Sequence, residues 1–233
     1  MFFTRTLIQN IKNVMNKYNE ILKELSKYDA KLVLVSKTKP IEQILHYYNM
    51  GQKDFGENRV QEMVEKHDKL PKDIKWHQIG HLQKNKVKYI APFVHLIHSV
   101  DSYELLKEIN KRAKSNNRII NILLQIKIAL EDTKFGMSKE ECTTLLSNKE
   151  LNTFQNIRIC GLMGMATFTK DENEIRKEFK TLKDFHSKLK RDYFSDKDFF
   201  RDISMGMSSD YKLAIQEGAT MVRIGSLIMG SRL

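Results

Sequence analysis

The chain has 233 residues, 41% hydrophobic and 30% charged, with only three prolines and ten glycines, which suits one sizeable core and leaves little room for linkers or low-complexity arms. Two cysteines, Cys142 and Cys160, show neither metal spacing nor a disulfide framework, as expected in a reducing, cytoplasmic setting, and no apolar run approaches the length of a membrane span. The net charge of +11 raises nucleic-acid binding, but the lysines interleave with acids, as in Lys139-Glu140-Glu141 and Arg176-Lys177-Glu178, in the manner of solvated helix faces.

The first element is a helix. Met1-Phe2-Phe3-Thr4-Arg5 lacks the sustained apolar core of a signal segment, and Leu7, Ile8, Ile11, Val14, Met15, Tyr18, Ile21, Leu22 and Leu25 form one stripe at helical spacing. From there a rhythm sets in, in which a short apolar run ends in a polar or glycine-bearing turn and a helical pattern follows. Leu32-Val33-Leu34-Val35 is the first strand, with a helix from Ile41 to Met50. Lys53-Asp54-Phe55 is the second, turning at Gly56-Glu57-Asn58-Arg59 into a helix from Val60 to Lys69. The third, Ile74 to Ile79, turns at Gly80-His81 into Leu82 to Ile90, and the fourth, Val94 to His98, precedes a helix from Tyr103 to Lys114 capped by Ser102 or Asp101. Ile119 to Ile126 is the longest apolar run, and its exit, Lys127 to Met137, is the longest turn; Ser138 and Glu141 then form a capping-box pattern. The sixth strand, Ile157 to Cys160, ends at Gly161 and is followed by a charged helix over roughly Glu172 to Arg191. Asp202-Ile203-Ser204 and Thr220 to Ile224 close the series, with a helix from Tyr211 to Glu217 between them and a short helix after Gly225-Ser226.

Strand-then-helix units repeated eight times, without hairpin signals, predict an α/β protein: a single (β/α)8 TIM-type barrel across 1–233, with residues 1–28 an additional N-terminal helix packed on it. An open doubly wound sheet would usually carry a Gly-x-Gly-x-x-Gly turn, and none is present. In a barrel every strand-to-helix turn opens on one mouth, so Lys37, Asn58, His81, Ser204, Ser208, Arg223, Gly225 and Ser226 are expected around one opening. Alternation places Val33, Val35 and Lys37 on one strand face. A lysine held at the rim of a packed interior is partly desolvated and becomes a better nucleophile toward an aldehyde, although Lys37 could also simply end the strand and reach to water. The turns after the seventh and eighth strands are the usual phosphate-binding turns of such barrels, and here they combine glycines with serines. Arg223 shares a face with Met221 and Gly225. It points either outward to water or inward to a ligand's ring nitrogen or carboxylate.

An aldehyde-binding lysine, a phosphate cradle and an arginine at a ring nitrogen together describe pyridoxal 5′-phosphate. The landmarks Val35-Ser36-Lys37-Thr38-Lys39-Pro40, Phe55-Gly56-Glu57-Asn58 and Trp76-His77 occur in order with Ile79-Gly80-His81-Leu82-Gln83, His98-Ser99-Val100-Asp101, Ser204-Met205-Gly206-Met207-Ser208 and Val222-Arg223-Ile224-Gly225-Ser226. Over nearly its whole length the sequence resembles the pyridoxal phosphate homeostasis proteins of the YggS/PROSC type, barrels like the N-terminal domain of alanine racemase. The resemblance implies that Lys37 forms the Schiff base, that Ser204, Gly225 and Ser226 hold the phosphate, that Arg223 faces the pyridine nitrogen and that Asn58 lies near the ring, with His81 a weaker candidate at the mouth. Arg59 and Met229 depart from the residues usual in the family at their places.

The implied function is to hold pyridoxal phosphate in the cytoplasm and supply or buffer it for apo-enzymes, as a monomer or weak dimer, with no metal, nucleic acid or membrane. A guanidinium opposite the pyridine nitrogen stays a donor and leaves the ring a weaker electron sink. No second domain follows Leu233 to supply an opposite-face base, so efficient amino-acid turnover is not expected. The alternatives are a fold-type III amino-acid racemase of weak activity and, on charge alone, a nucleic-acid-binding protein.

Overall fold

The structure, a computed structural model, describes residues 16–129 and 135–230. Its strands are β1 (Lys31–Val35), β2 (Asp54–Glu57), β3 (Lys75–Gln78), β4 (Leu96–Val100), β5 (Ile120–Gln125), β6 (Ile157–Met163), β7 (Asp202–Ser204) and β8 (Met221–Ile224). They pair in parallel in sequence order, and β8 returns to pair with β1, closing the barrel that the eight repeated units predict. The intervening helices are α2 (Ile41–Asn49), α3 (Val60–Lys69), α4 (Val87–Ile90), α5 (Tyr103–Ser115), α6 (Lys139–Leu146), α7 (Glu172–Tyr193), α8 (Tyr211–Gln216) and α9 (Ser226–Met229), with α1 over 16–26 ahead of β1.

Alternation along the strands sorts the apolar residues into two cores. Leu32, Leu34, Phe55, Trp76, Ile97, Ile122, Leu162 and Val222 face outward and pack with the helices in the larger one. Val33, Leu96, Leu123, Cys160, Met163 and Met221 face inward and form a smaller cluster on the barrel axis. From α1, Tyr18, Ile21 and Leu25 enter the larger core, each worth roughly 1.5–3 kcal/mol of burial. The Tyr18 hydroxyl donates to Gln52 Oε1 at 3.1 Å, which fixes α1 against the barrel. The expected stripe from Leu7 to Met15 lies outside the described residues, as do residues 130–134 of the fifth turn.

Several boundaries differ from expectation. Strand β2 runs past Phe55 through Gly56 and Glu57, which pair with His77 and Gln78 of β3 instead of forming the turn. The run Leu82 to Ile90 is not one helix but a 3-10 turn, Lys84–Lys86, leading into the four residues of α4. Strand β4 begins at Leu96 rather than Val94, because the Val94 amide still donates to Ile90 O at 2.8 Å and its carbonyl is taken by Arg118. Strand β6 runs past Gly161 to Met163. Gly161 has φ +156°, and a Cβ there would lie 1.8 Å from Asp202 O. The glycine is therefore an in-strand irregularity, where the register against β5 shifts, and not a strand end.

Candidate cofactor site

The carboxyl ends of the strands surround a cavity of about 640 Å³. Of the six residues that the resemblance assigns to the cofactor, Lys37, Asn58, Arg223, Gly225 and Ser226 line it, together with Gln125 and with His81 and Ser208, which were also expected at this opening. Ser204 does not: it is fully buried on the barrel axis.

Lys37 stands at the rim just beyond β1, on the inward face shared with Val33 and Val35, and the turn behind it is clamped from below. Lys66 of α3 reaches under the turn and donates to Ser36 O, Glu57 Oε1 and Glu62 Oε1, each at 2.7 Å. Ser36 Oγ donates to Glu57 Oε1 at 2.6 Å, and the Thr38 amide to Glu62 Oε1 at 2.5 Å. Thr38 takes a left-handed φ of 64°, a strained value for a β-branched residue, which these contacts hold in place. Burial pushes the Glu57 carboxyl up to about 7, against the downward pull of Lys66 and Ser36. Sequence alone assigns no role to Lys66 or Glu62 and places Glu57 in a turn after Phe55, whereas β2 runs on through Glu57 and buries it.

On the next side of the mouth the turns after β2 and β3 touch. A Cβ on Gly80 would come within 2.7 Å of Asn58 O, so only glycine lets the two turns close. Gln78 Nε2 donates to both Asn58 O and Gly80 O at 3.0 Å, locking Asn58 at the cavity wall. His81 stacks on Phe135 with ring centroids 4.4 Å apart, and its Nδ1 lies 3.4 Å from Asp101 Oδ2.

Arg223 points inward. Its register partner across the closing seam is Val33 on the lysine strand, so Lys37 and Arg223 project from neighbouring strands. The guanidinium donates to Ser204 Oγ at 2.6 Å and to Gly164 O at 3.1 Å; the described residues thus occupy two of its five N–H donors while it lines the cavity. Burial lowers its pKa to about 10, with Asp210 opposing, so the group stays cationic at neutral pH. Ser204 is spoken for from below as well, since His98 Nδ1 lies 2.9 Å from the same Oγ.

The serines that do face the cavity from the β7 turn are Ser208 and Ser209. Gly206 turns the chain at φ +89°, and Asp210 Oδ1 accepts from the Met207 amide at 2.5 Å, bringing Ser208 beside the β8 turn. There its Oγ accepts from the Gly225 amide at 3.4 Å. A Cβ on Gly225 would meet Val35 O at 3.0 Å, so the glycine allows the turn to press against β1. Hydroxyls from Ser208 and Ser226 and the backbone of Gly225 make a neutral, donor-rich cradle of the kind that accepts a phosphate. A buried cation able to donate to a ring nitrogen, a rim lysine on the neighbouring strand and this cradle on one cavity fit the three polar features of pyridoxal phosphate.

Comparison with known proteins agrees with the geometry. The profile of the alanine racemase N-terminal domain matches residues 9–232. The pyridoxal phosphate homeostasis protein of Aquifex aeolicus is 42% identical over 205 residues, covering 87% of both chains. The chain belongs to this family. Its Helicobacter pylori member is 38% identical over 201 residues, covering 85% of this chain and 86% of that protein. The family member PipY from Synechococcus elongatus, solved with pyridoxal phosphate bound, superposes with a TM-score of 0.83 at 31% identity, covering 93% of this chain and all of that one. An alanine racemase from Clostridium difficile shares the fold, with a TM-score of 0.70 at 15% identity over 57% of its length.

Proposed function

We propose that this protein binds pyridoxal 5′-phosphate in the cavity at the barrel mouth and serves intracellular homeostasis of that cofactor. One observation carries the reading: Lys37, Arg223 and the Ser208–Gly225–Ser226 cradle lie on the same cavity. Lys37 would hold the aldehyde covalently as a Schiff base, and Arg223 would donate to the pyridine nitrogen. Gly225, Ser226 and Ser208 would take the phosphate, and Asn58 would flank the ring. Ser204, the sixth expected residue, serves instead beneath Arg223. Bound pyridoxal phosphate supplies an electron sink for carbanions, and this site is built to blunt it: Arg223 is cationic and can only donate to the ring nitrogen.

Racemisation also needs bases on both faces of the substrate. Among the described residues lining the cavity the ionisable side chains are Lys37, Lys39, His81 and Arg223, with no tyrosine and no carboxylate. We therefore read the protein as a cytoplasmic carrier that supplies or buffers the cofactor for apo-enzymes rather than as an efficient catalyst. No helix among the described residues is long and apolar enough to cross a membrane.

The test is an absorbance titration of the purified protein with pyridoxal phosphate, repeated on Lys37→Ala, followed by borohydride reduction and peptide mapping. A Schiff-base band lost in the variant, with the reduced adduct on Lys37, is the expected result. No band at excess cofactor refutes the assignment. Chiral analysis of alanine and serine after incubation decides against the carrier reading if racemisation is fast.

A further inference from the structure

Below the cavity the barrel axis is not filled by apolar side chains alone. An unbroken line of polar groups crosses it, from Arg223 on β8 to Ser204 on β7, His98 on β4, His77 on β3 and Asp54 at the start of β2. Arg223 Nη1 to Ser204 Oγ is 2.6 Å, and Ser204 Oγ to His98 Nδ1, His98 Nε2 to His77 Nδ1 and His77 Nε2 to Asp54 Oδ1 are each 2.9 Å. Ser204, His98 and Arg223 are essentially buried, and His77 is 2% exposed.

Elementary donor counting fixes the direction of every bond with both imidazoles neutral. Asp54, ionised, can only accept, so His77 donates from Nε2. A neutral His77 then accepts at Nδ1, and His98 must donate from Nε2. His98 in turn accepts at Nδ1, and the Ser204 hydroxyl is its donor. The Ser204 hydrogen is thereby committed away from Arg223, and its lone pairs face the guanidinium. Reversing any one bond with both rings neutral sets two donors or two acceptors against each other elsewhere.

We propose that this directed chain is the device that orients Arg223 toward the cofactor ring, with Ser204 and His98 as positioning residues. The proposal rests on the cofactor reading of the cavity. A guanidinium held only by Gly164 O could rotate about its long side chain. Held also by a hydroxyl that can only accept from it, the guanidinium has one edge fixed below, and its remaining donors stay turned to the cavity. Asp54, His77 and His95 also bring ligand atoms within 4.8 Å of one another, a spacing a metal ion would accept. However, Lys31, Lys75, Arg158 and Arg201 line the same pocket at the barrel base, and this positive surround favours the carboxylate as the anchor of the chain over a bound dication.

Two measurements test it. In uniformly ¹⁵N-labelled protein, long-range imidazole correlations should show His98 and His77 both neutral and protonated at Nε2; His98 protonated at Nδ1 overturns the chain. Pyridoxal phosphate labelled with ¹⁵N in the ring is then bound to wild type, Ser204→Ala, His98→Leu and His98→Asn. Ser204→Ala and His98→Leu should bind at least tenfold more weakly and shift the ring-nitrogen resonance. His98→Asn, whose amide oxygen can still accept the Ser204 hydroxyl, should stay within threefold of wild type with its resonance unmoved. If His98→Leu fails to fold, Ser204→Ala, which removes one oxygen, decides the matter together with His98→Asn. Wild-type affinity and resonance in Ser204→Ala overturn this proposal alone. A wild type that takes up no cofactor overturns the cavity reading and this proposal with it.

Discussion

Lys66→Met is the sharpest probe of how the lysine turn is held. The ammonium makes three contacts of 2.7 Å, and its principal partner, the Glu57 carboxylate, is fully buried with Oε2 already lacking a partner among the described residues. Removing one member of a buried ion pair leaves the other charge uncompensated and costs about 3–5 kcal/mol, a large share of a typical 5–15 kcal/mol domain stability. The pH dependence has a definite sign. The folded-state pKa of Glu57 is raised to about 7, so between about 4.5 and 7 the folded protein holds a proton that the unfolded chain has released. The associated stability is full below that window and is lost as pH rises through it. Without Lys66 the carboxyl moves higher still, so Lys66→Met should lose more stability at pH 8 than at pH 5. The double variant Glu57→Gln/Lys66→Met removes both charges and keeps an acceptor for Ser36; it should recover most of the loss. Urea unfolding of the three proteins at both pH values measures all of this. A single variant within 1 kcal/mol of wild type at pH 8, or a double variant no more stable than the single, would falsify the clamp.

Gly80→Ala should lower cofactor affinity and cost roughly 1–3 kcal/mol, because its Cβ would lie 2.7 Å from Asn58 O and force the two turns apart; titration and thermal melting check both effects. Gly161→Ala should fail to give a cooperatively folded barrel, since the added carbon would sit 1.8 Å from a β7 carbonyl; a sharp melt at the wild-type temperature contradicts that. His186 is buried, stacks on Phe200 and has its pKa lowered to about 4 by desolvation. Its contribution is complete above about 6.5 and is lost as pH falls toward 4, up to ~3 kcal/mol. His186→Phe should therefore flatten the acid limb of a stability–pH profile, and an unchanged limb counts against this residue as a source of acid lability.

The barrel was legible in the sequence because β1, β5, β6 and β8 carry apolar runs and each unit closes in its own turn signal, so that the repeat places the shorter, more polar β2, β3 and β7. Lys37, Asn58, Arg223, Gly225 and Ser226 were equally legible as turn or strand-end residues, and the structure gathers them on one cavity. What sequence could not show was which polar residues meet across the axis. Ser204 reads like any serine beside a glycine turn, yet β7 ends on it with its side chain turned inward, where strands far apart in the chain supply Arg223 and His98. Ser208, four residues later, and its neighbour Ser209 are the serines that line the mouth. Lys66 is similar: on a helix whose neighbours are charged it looks solvated, and only the fold brings its tip under Ser36 and Glu57. In the sequence Gly161 reads as the end of a strand because glycine usually interrupts one; here it is the point at which the strand slips register and continues.

The thinnest seam of the barrel lies between β7 and β8, which share a single register pair, Ser204 and Met221, whereas β5 and β6 share six. Ser208 follows one edge of that seam, and Gly225 and Ser226 follow the other. On the proposed reading, a phosphate gripped by both turns would act as a rivet over the joint. Occupancy then adds to resistance against unfolding in proportion to the logarithm of free cofactor over its dissociation constant. On that reading, the loaded protein would resist proteolysis longer than the empty one, and its survival would follow the supply of cofactor.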